Sequence, residues 1–464
     1  MFFDESTFGP YDNSERKAQR AYELYEDGNI NQALTELNDA IEINPSSSAL
    51  HFNKALALDT MSKFEDAIGE YEIALALNPV DPEILNSLAV DHTRTGHYDL
   101  ALQTFEHIHE IDSSFEPCYC NRIITYTEMG QHELAEQMFY MAQQLNPDCA
   151  LCYYNIGNSL FSRGQYKKAI HCWLRTAELE PTHPQIYYRI AQALWAEGEF
   201  ERSRESFLKE LRINPGDVDV IIDFGLFLLN TGQVEAAKEK FNRALEQDPG
   251  CAAAIFYLGE TECACGNIEQ AHRLYDRAID RDGSLLGPRF RLAQIALGEG
   301  DYQRAKSYLA SEVRHAPENS DVLVSMASMF LELQRKCPTV STLENPEMDY
   351  AMHCLLRAID INSSNPDAYY YLGVLNAMKG QLENAVELFG STLDIDSEHL
   401  GALADSAAVS IKLGRFERAE ELLARAMKIS GGDNSRLKQL NRTLKRQLIK
   451  EKLKSGLFRS RSQG

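Results

Sequence analysis

Residues 150–183 read ALCYYNIGNSLFSRGQYKKAIHCWLRTAELEPTH, and the pattern of this 34-residue stretch recurs on both sides of it. Apolar residues at helical spacing run from Ala150 to Phe161, break at Gly164, resume at Ala169 and end before Pro181. This pattern predicts two amphipathic helices. The glycine between them takes positive φ as a helix C-cap, and the proline ends the second helix. At intervals of 34 residues or multiples of 34, the proline recurs as Pro45, Pro79, Pro147, Pro215, Pro249 and Pro317. The glycine recurs as Gly28, Gly96, Gly130, Gly198, Gly232, Gly266 and Gly300. Five positions later stands a small residue: Ala33, Ala67, Ala101, Ala135, Ser203, Ala237, Ala271 and Ala305. It lets the two helices of a unit approach closely.

Counting from the start of each first helix, units begin at Ser14, Ser48, Pro82, Glu116, Ala150, Pro184, Val218, Ala252, Leu286 and Ser320. The tenth is interrupted by a loop insertion at 335–347, which contains Pro338 and Pro346, and resumes with Ala351 and Ala358 at its small positions. Two more units start at Pro366 and Leu400, giving twelve over residues 14–432. Ser113, Gly283, Ser363, Ser397 and Gly431 stand where the terminal proline is expected, and Thr176 and Glu210 replace a small residue late in the second helix.

Such units bury apolar surface only against their neighbours, so the ends of the array need caps. Residues 433–456 read as a capping helix with Leu437, Leu440, Leu444, Leu448 and Leu453 on one side. From Asp433 onward there are ten Lys/Arg and two acids, a net +8, so the array before it carries −23 − 8 = −31. Residues 1–13 form an N-terminal extension and 457–464 a flexible tail.

The pattern resembles the tetratricopeptide repeat (TPR) family. The resemblance implies an all-α, right-handed α-solenoid whose first helices line a concave groove. It also implies a scaffold that binds partner proteins without catalysis. Groove positions, carried over from the family, are the second, fifth, sixth, ninth, twelfth and thirteenth of each unit. The sixth gives Asn53, Ser87, Asn121, Asn155 and Arg189. This series resembles the asparagine ladder in the TPR region of O-GlcNAc transferase, where amides hold an extended peptide by its backbone. An amide side chain both donates and accepts, as a peptide unit requires. A polar residue tolerated on an exposed helix face is the simpler explanation of each Asn. Three amides contribute at most about 4 kcal/mol, near millimolar affinity, so anchors are needed. Tyr154, Asn158, Phe161, Tyr188, Gln192 and Trp195 lie at neighbouring groove positions and supply the residue types that dominate interfaces. The expected peptide-binding site is therefore Asn53, Asn121, Tyr154, Asn155, Asn158, Tyr188, Arg189, Gln192 and Trp195.

Over all twelve units the groove positions hold twelve acids and four bases, which favours a mixed or weakly basic peptide. The carboxylate clamp of chaperone-binding TPR domains is not reproduced. The 464 residues carry 69 acidic and 46 basic side chains, a net −23, which disfavours nucleic acid as the main partner. Docking of nucleic acid or an acidic partner through the basic C-terminal helix, and self-association of the array, are the alternative readings. No apolar run is long enough to span a membrane. The sequence begins Met1-Phe-Phe-Asp-Glu-Ser, without a basic and apolar leader, and ten cysteines do not make a disulfide scaffold. A cytoplasmic, reduced protein is expected.

Cys118, Cys120, Cys149 and Cys152 form a C-x-C and a C-x-x-C, and Cys263 and Cys265 a further C-x-C. Zinc prefers four converging ligands. Cys118 and Cys152 share a column that packs small apolar side chains, so the reading is buried cysteine and no metal. His92, His97, His107, His109 and His132 fall on turns and alternating helix faces and read as surface residues. No enzyme motif occurs, and neither a cofactor nor a small-molecule substrate is expected.

Overall fold

The computed structural model describes residues 13–315, 317–337, 346–431 and 434–461, the last segment with side chains to residue 451. The N-terminal extension lies outside these residues except for Asn13, as do residues 338–345 of the insertion.

Among the described residues the chain is an all-α solenoid of helix pairs, without strands. The described residues fall into two compact units, divided after Val220. In the first, the pairs are α1 (Asn13–Glu26) with α2 (Ile30–Ile43), α3 (Ser48–Thr60) with α4 (Phe64–Leu77), and α5 (Pro82–Arg94) with α6 (Tyr98–Ile111). They continue as α7 (Glu116–Glu128) with α8 (His132–Leu145), α9 (Ala150–Ser162) with α10 (Tyr166–Leu179), and α11 (Ile186–Ala196) with α12 (Phe200–Ile213). Helix α13 (Val218–Asn230) spans the division and precedes α14 (Val234–Gln247). The second compact unit continues with α15 (Ala252–Ala264), α16 (Ile268–Arg281), α17 (Pro288–Glu299), α18 (Tyr302–Arg314), α19 (Ser320–Lys336) and α20 (Pro346–Ile361). It ends with α21 (Pro366–Met378), α22 (Leu382–Ile395), α23 (Leu400–Lys412), α24 (Phe416–Ile429) and α25 (Ser435–Arg461).

The turn within each helix pair other than the tenth uses a left-handed residue, such as Gly164 at φ +69°. In the second repeat the same place falls to Ser62, at φ +59°, so the fold imposes the turn even without glycine. Some first helices begin on side-chain caps: Asp81 accepts from Glu83 N–H at 3.0 Å, ahead of Pro82 at the first helical position.

The close approach of paired helices rests on a column the 34-residue pattern leaves unmarked. Gly157, Gly225, Gly259 and Gly373 lie under Trp173, Phe241, Tyr275 and Phe389 respectively; a Cβ added at any of them would come within 2.4–2.7 Å of the ring. Elsewhere the column holds Ala21, Ala55, Ala89, Ala191, Ala293, Ala327 and Ala407, with Ile123 in the fourth repeat, all buried.

Nine of the twelve expected first-helix starts coincide with the observed ones. The first begins one residue early at Asn13, and two begin two residues late, at Ile186 and Pro288. The late pair has a physical cause. Late in the second helix most repeats carry Ala or Thr, and in the three repeats that begin with Ser the carbonyl there takes the serine hydroxyl at the head of the first helix. The three are Ser14 on Ala40 (3.1 Å), Ser48 on Ala74 (2.8 Å) and Ser320 on Ala358 (3.0 Å). The sixth and ninth repeats carry buried Glu210 and Glu312 at this place. The Glu312 carboxylate accepts the Gly287 N–H and occupies the space of the missing first residues. The residues before both late helices are left-handed, Gln185 at φ +57° and Gly287 at φ +107°. Thr176 is accommodated by donating to Ala150 O at 3.3 Å.

Helix α25 packs Leu437 and Leu444 into an apolar cluster with Leu403, Ala407, Leu422 and Leu423 of α23 and α24. Its opposite side exposes Lys438, Arg442, Lys445, Arg446 and Lys450. It starts at Ser435 and runs past residue 456 to Arg461.

Candidate binding surface on repeats four to six

The nine residues expected in the site fall on four first helices of the first compact unit: Asn53 on α3, Asn121 on α7, Tyr154, Asn155 and Asn158 on α9, and Tyr188, Arg189, Gln192 and Trp195 on α11. Asn53 stands apart from the others, and the rest gather on α7, α9 and α11. Asn53 and Asn155 are buried, 2% and 3% exposed. Asn155 donates from Nδ2 to the carbonyl of Cys120 at 3.0 Å, and Asn121 donates to Asn86 Oδ1 at 3.0 Å. Asn121 and Asn155 therefore brace α7 and α9 against the first helix before each, and in Asn53 and Asn155 little surface remains for a ligand. Ser87 turns its hydroxyl back to Glu83 O at 3.0 Å.

The other seven residues are half-buried and keep open surface. The Tyr154 ring lies 4.4 Å from that of His183. Its backbone carbonyl takes the Trp173 indole N–H at 3.2 Å, which fixes α9 against α10. The Arg189 guanidinium lies 6.0 Å from the Tyr188 ring centre, and its Nε is buried with no acceptor. A donor held out of water without a partner costs about 1–3 kcal/mol until something accepts from it. Phe161 faces its own repeat, against Tyr166 and Trp173. On the second helices, Phe139, Tyr140, Lys168 and His171 line a separate 360 Å³ pocket.

Two clusters have little sequence signal. In the third repeat Asp91 is 1% exposed, its Oδ2 accepts no hydrogen bond, and its Oδ1 meets Arg94 at 3.1 Å. Arg94 also pairs with Asp59 of the preceding first helix and lies over Phe64. Burial, and secondarily Asp59, pushes the Asp91 carboxyl up to about 7, while Arg94 pulls the other way. A carboxyl with a raised folded-state pKa stabilises most below its unfolded value near 3.8, and that contribution is lost as pH rises through about 7. The steepest slope is about 1.4 kcal/mol per pH unit. Asp91→Asn is expected to gain on the wild type as pH rises from about 5 to 8 on the scale of that slope. Urea midpoints at both pH values check this; an equal gap at both would contradict it.

The second cluster joins repeats four and five. A disulfide links Cys120 of α7 to Cys152 of α9, which corrects the expectation of a fully reduced chain. The thiol of Cys149 is pushed up to about 12, by burial first and then by Glu116. Cys118 stays apart, buried and donating to Phe105 O at 3.4 Å. The histidine reading also needs correction at one position: His92 is buried at 7% exposure, and burial lowers its pKa.

Tetratricopeptide repeat models match residues 154–218, 228–284, 354–387 and 377–444, and a model of the N-terminal TPR region of psidin matches 15–146. The chain belongs to the tetratricopeptide repeat family. The chain is similar to several solved structures at low identity. Yeast Tom70 is 15% identical, with 86% of this chain and 96% of that one covered at a TM-score of 0.47. The APC/C hetero-tetramer Cut9-Hcn1 is 13% identical, with 93% and 90% covered at 0.42. YrrB, a TPR protein with an unusual peptide-binding site, is 24% identical, with 39% and 92% covered at 0.33. No curated protein matches the sequence. The TPR assignment makes this a protein–protein interaction scaffold in general terms, and no described helix is long and apolar enough to cross a membrane.

Proposed function

We propose that this TPR protein is a non-enzymatic adaptor that holds extended peptide segments of partner proteins on the first-helix face of repeats four to six. The carrying observation is the half-buried Arg189 guanidinium beside half-buried Tyr188, in a stretch that also presents Tyr154, Asn158, Gln192 and Trp195. A peptide carbonyl satisfies such a donor, and rigid aromatic side chains give contact area at low entropic cost. Because Asn155 is already bonded to Cys120, the recognition chemistry in this reading shifts from the asparagine column to Asn121, Asn158, Arg189 and Gln192. Asn53 belongs to the proposed site only as a buried support. Excess acid along the groove positions favours a mixed or weakly basic segment, and a cytoplasmic setting is part of the proposal.

Selection from a displayed peptide library on the full chain tests it. Recovered peptides are expected to bind Asn158→Ala/Arg189→Ala/Gln192→Ala at least tenfold more weakly, the loss of three hydrogen bonds of about 0.5–1.5 kcal/mol each. Circular dichroism should show equal helicity. Equal affinity for wild type and variant would remove this site from the account.

A further inference from the structure

Glu116, Cys120, Cys149 and Cys152 converge where α7 and α9 begin, and their four ligand atoms all lie within 4.8 Å of one another. The disulfide accounts for two of them. It does not account for the others. Cys149 Sγ stands 3.5 Å from Cys120 Sγ. Glu116 Oε1 stands 3.0 Å from Cys120 Sγ and 3.5 Å from Cys152 Sγ. Bonded to each other, those two sulfurs carry no hydrogen to give a carboxylate, and the proton at hand is that of the Cys149 thiol, which also meets Glu116. Zinc bound at about 2.3 Å to sulfur and 2.0–2.2 Å to oxygen separates tetrahedral ligand atoms by roughly 3.5–3.8 Å. The spacing of the third sulfur and the carboxylate is close to that.

We propose that, once the Cys120–Cys152 bond is reduced, Glu116, Cys120, Cys149 and Cys152 bind a zinc ion that joins repeats four and five. The atoms balance with an external dithiol as reductant. It passes two electrons and two protons to the bridge and becomes a cyclic disulfide. The three thiols of the site then release their protons to solvent as three sulfurs and the Glu116 carboxylate take the metal. Burial and Glu116 hold the proton on Cys149, so the metal has to displace it; two features favour the charge that results. Cys149 is the N-cap of α9, where the helix dipole favours negative charge, and the Cys152 N–H donates to its sulfur at 3.3 Å. Zinc and disulfide are thus two ways of joining the same two first helices, selected by redox state. The sequence reading counted Cys118 among the four candidates; the geometry replaces it with Glu116.

The test uses the full chain, reduced with dithiothreitol, freed of reductant without air and titrated with cobalt(II). The expected result is an intense sulfur-to-cobalt charge-transfer band with tetrahedral d–d bands, saturating at one ion per chain and bleached by zinc. Cys149→Ser keeps a good N-cap and so the helix. It should lower the charge-transfer intensity and weaken zinc at least tenfold in competition with a chromophoric chelator. Cys118→Ser should leave both unchanged, and the oxidised wild type should lack the tetrahedral spectrum. A weak octahedral cobalt spectrum in the reduced chain, or a Cys149→Ser variant that binds as the wild type does, would overturn the proposal.

Discussion

Gly157→Val is expected to lower stability by about 2–4 kcal/mol. A Cβ at this position would fall 2.4 Å from Trp173 Nε1 and 2.6 Å from its Cδ1. The ring has no room to retreat: it is 1% exposed and tied to Tyr154 O. Overpacking of this kind costs about 1–3 kcal/mol, and loss of the indole hydrogen bond adds about 1. Trp173 also shares its core with Ile156, Leu160, Ile186 and Ile190, so the damage spreads to the start of repeat six. Gly69 gives the contrast. It lies in α4 with nothing near its absent Cβ, so Gly69→Ala should raise stability by up to about 1 kcal/mol. Urea unfolding followed by tryptophan fluorescence measures both. A cost below about 1 kcal/mol for Gly157→Val would mean that the helix pair is looser than described.

Reduction of the Cys120–Cys152 bridge is expected to destabilise the first compact unit by about 3–4 kcal/mol. The bridge closes a loop with a sequence separation of 32 residues, and the chain-entropy estimate for such a loop gives this size. Repeats four and five are otherwise joined by Asn155 on Cys120 O and by apolar contacts among Cys120, Ile123, Ile156 and Leu160. These hold the helices together but do not restrict the unfolded chain. Denaturant midpoints with and without dithiol, in the presence of a chelator to keep metal out, give the difference. An unchanged midpoint would show that the bridge adds nothing to the fold. A Cys120→Ser/Cys152→Ser double variant should match the reduced wild type.

The repeat itself was legible because period, turn glycine and terminal proline each mark a backbone demand that few residues meet. Nine first-helix starts followed directly from counting. The two late starts did not; at the later one Glu312 acts on Gly287, twenty-five residues before it in sequence. Glu210 stood out as a departure from the column, yet its consequence depends on where a buried carboxylate finds a donor. The packing column of Gly157, Gly225, Gly259 and Gly373 was visible letter by letter but carries no turn or break to draw notice. Within the site, the type and position of Tyr154, Tyr188 and Arg189 could be read from the family resemblance. That Asn155 is already bonded could not, since the angle between successive first helices decides it. The four-atom cluster was half legible: C-x-C and C-x-x-C are plain in the sequence, whereas Glu116 joins them only because α7 and α9 begin side by side.

The proposed peptide lies along the first helices of repeats four to six. Amide hydrogen exchange of the full chain, with and without a peptide recovered by display, tests this most directly. The predicted result is added protection in α7, α9 and α11, lost in Asn158→Ala/Arg189→Ala/Gln192→Ala. Protection confined to the pocket beside Tyr140 and His171, or to α25, would contradict it.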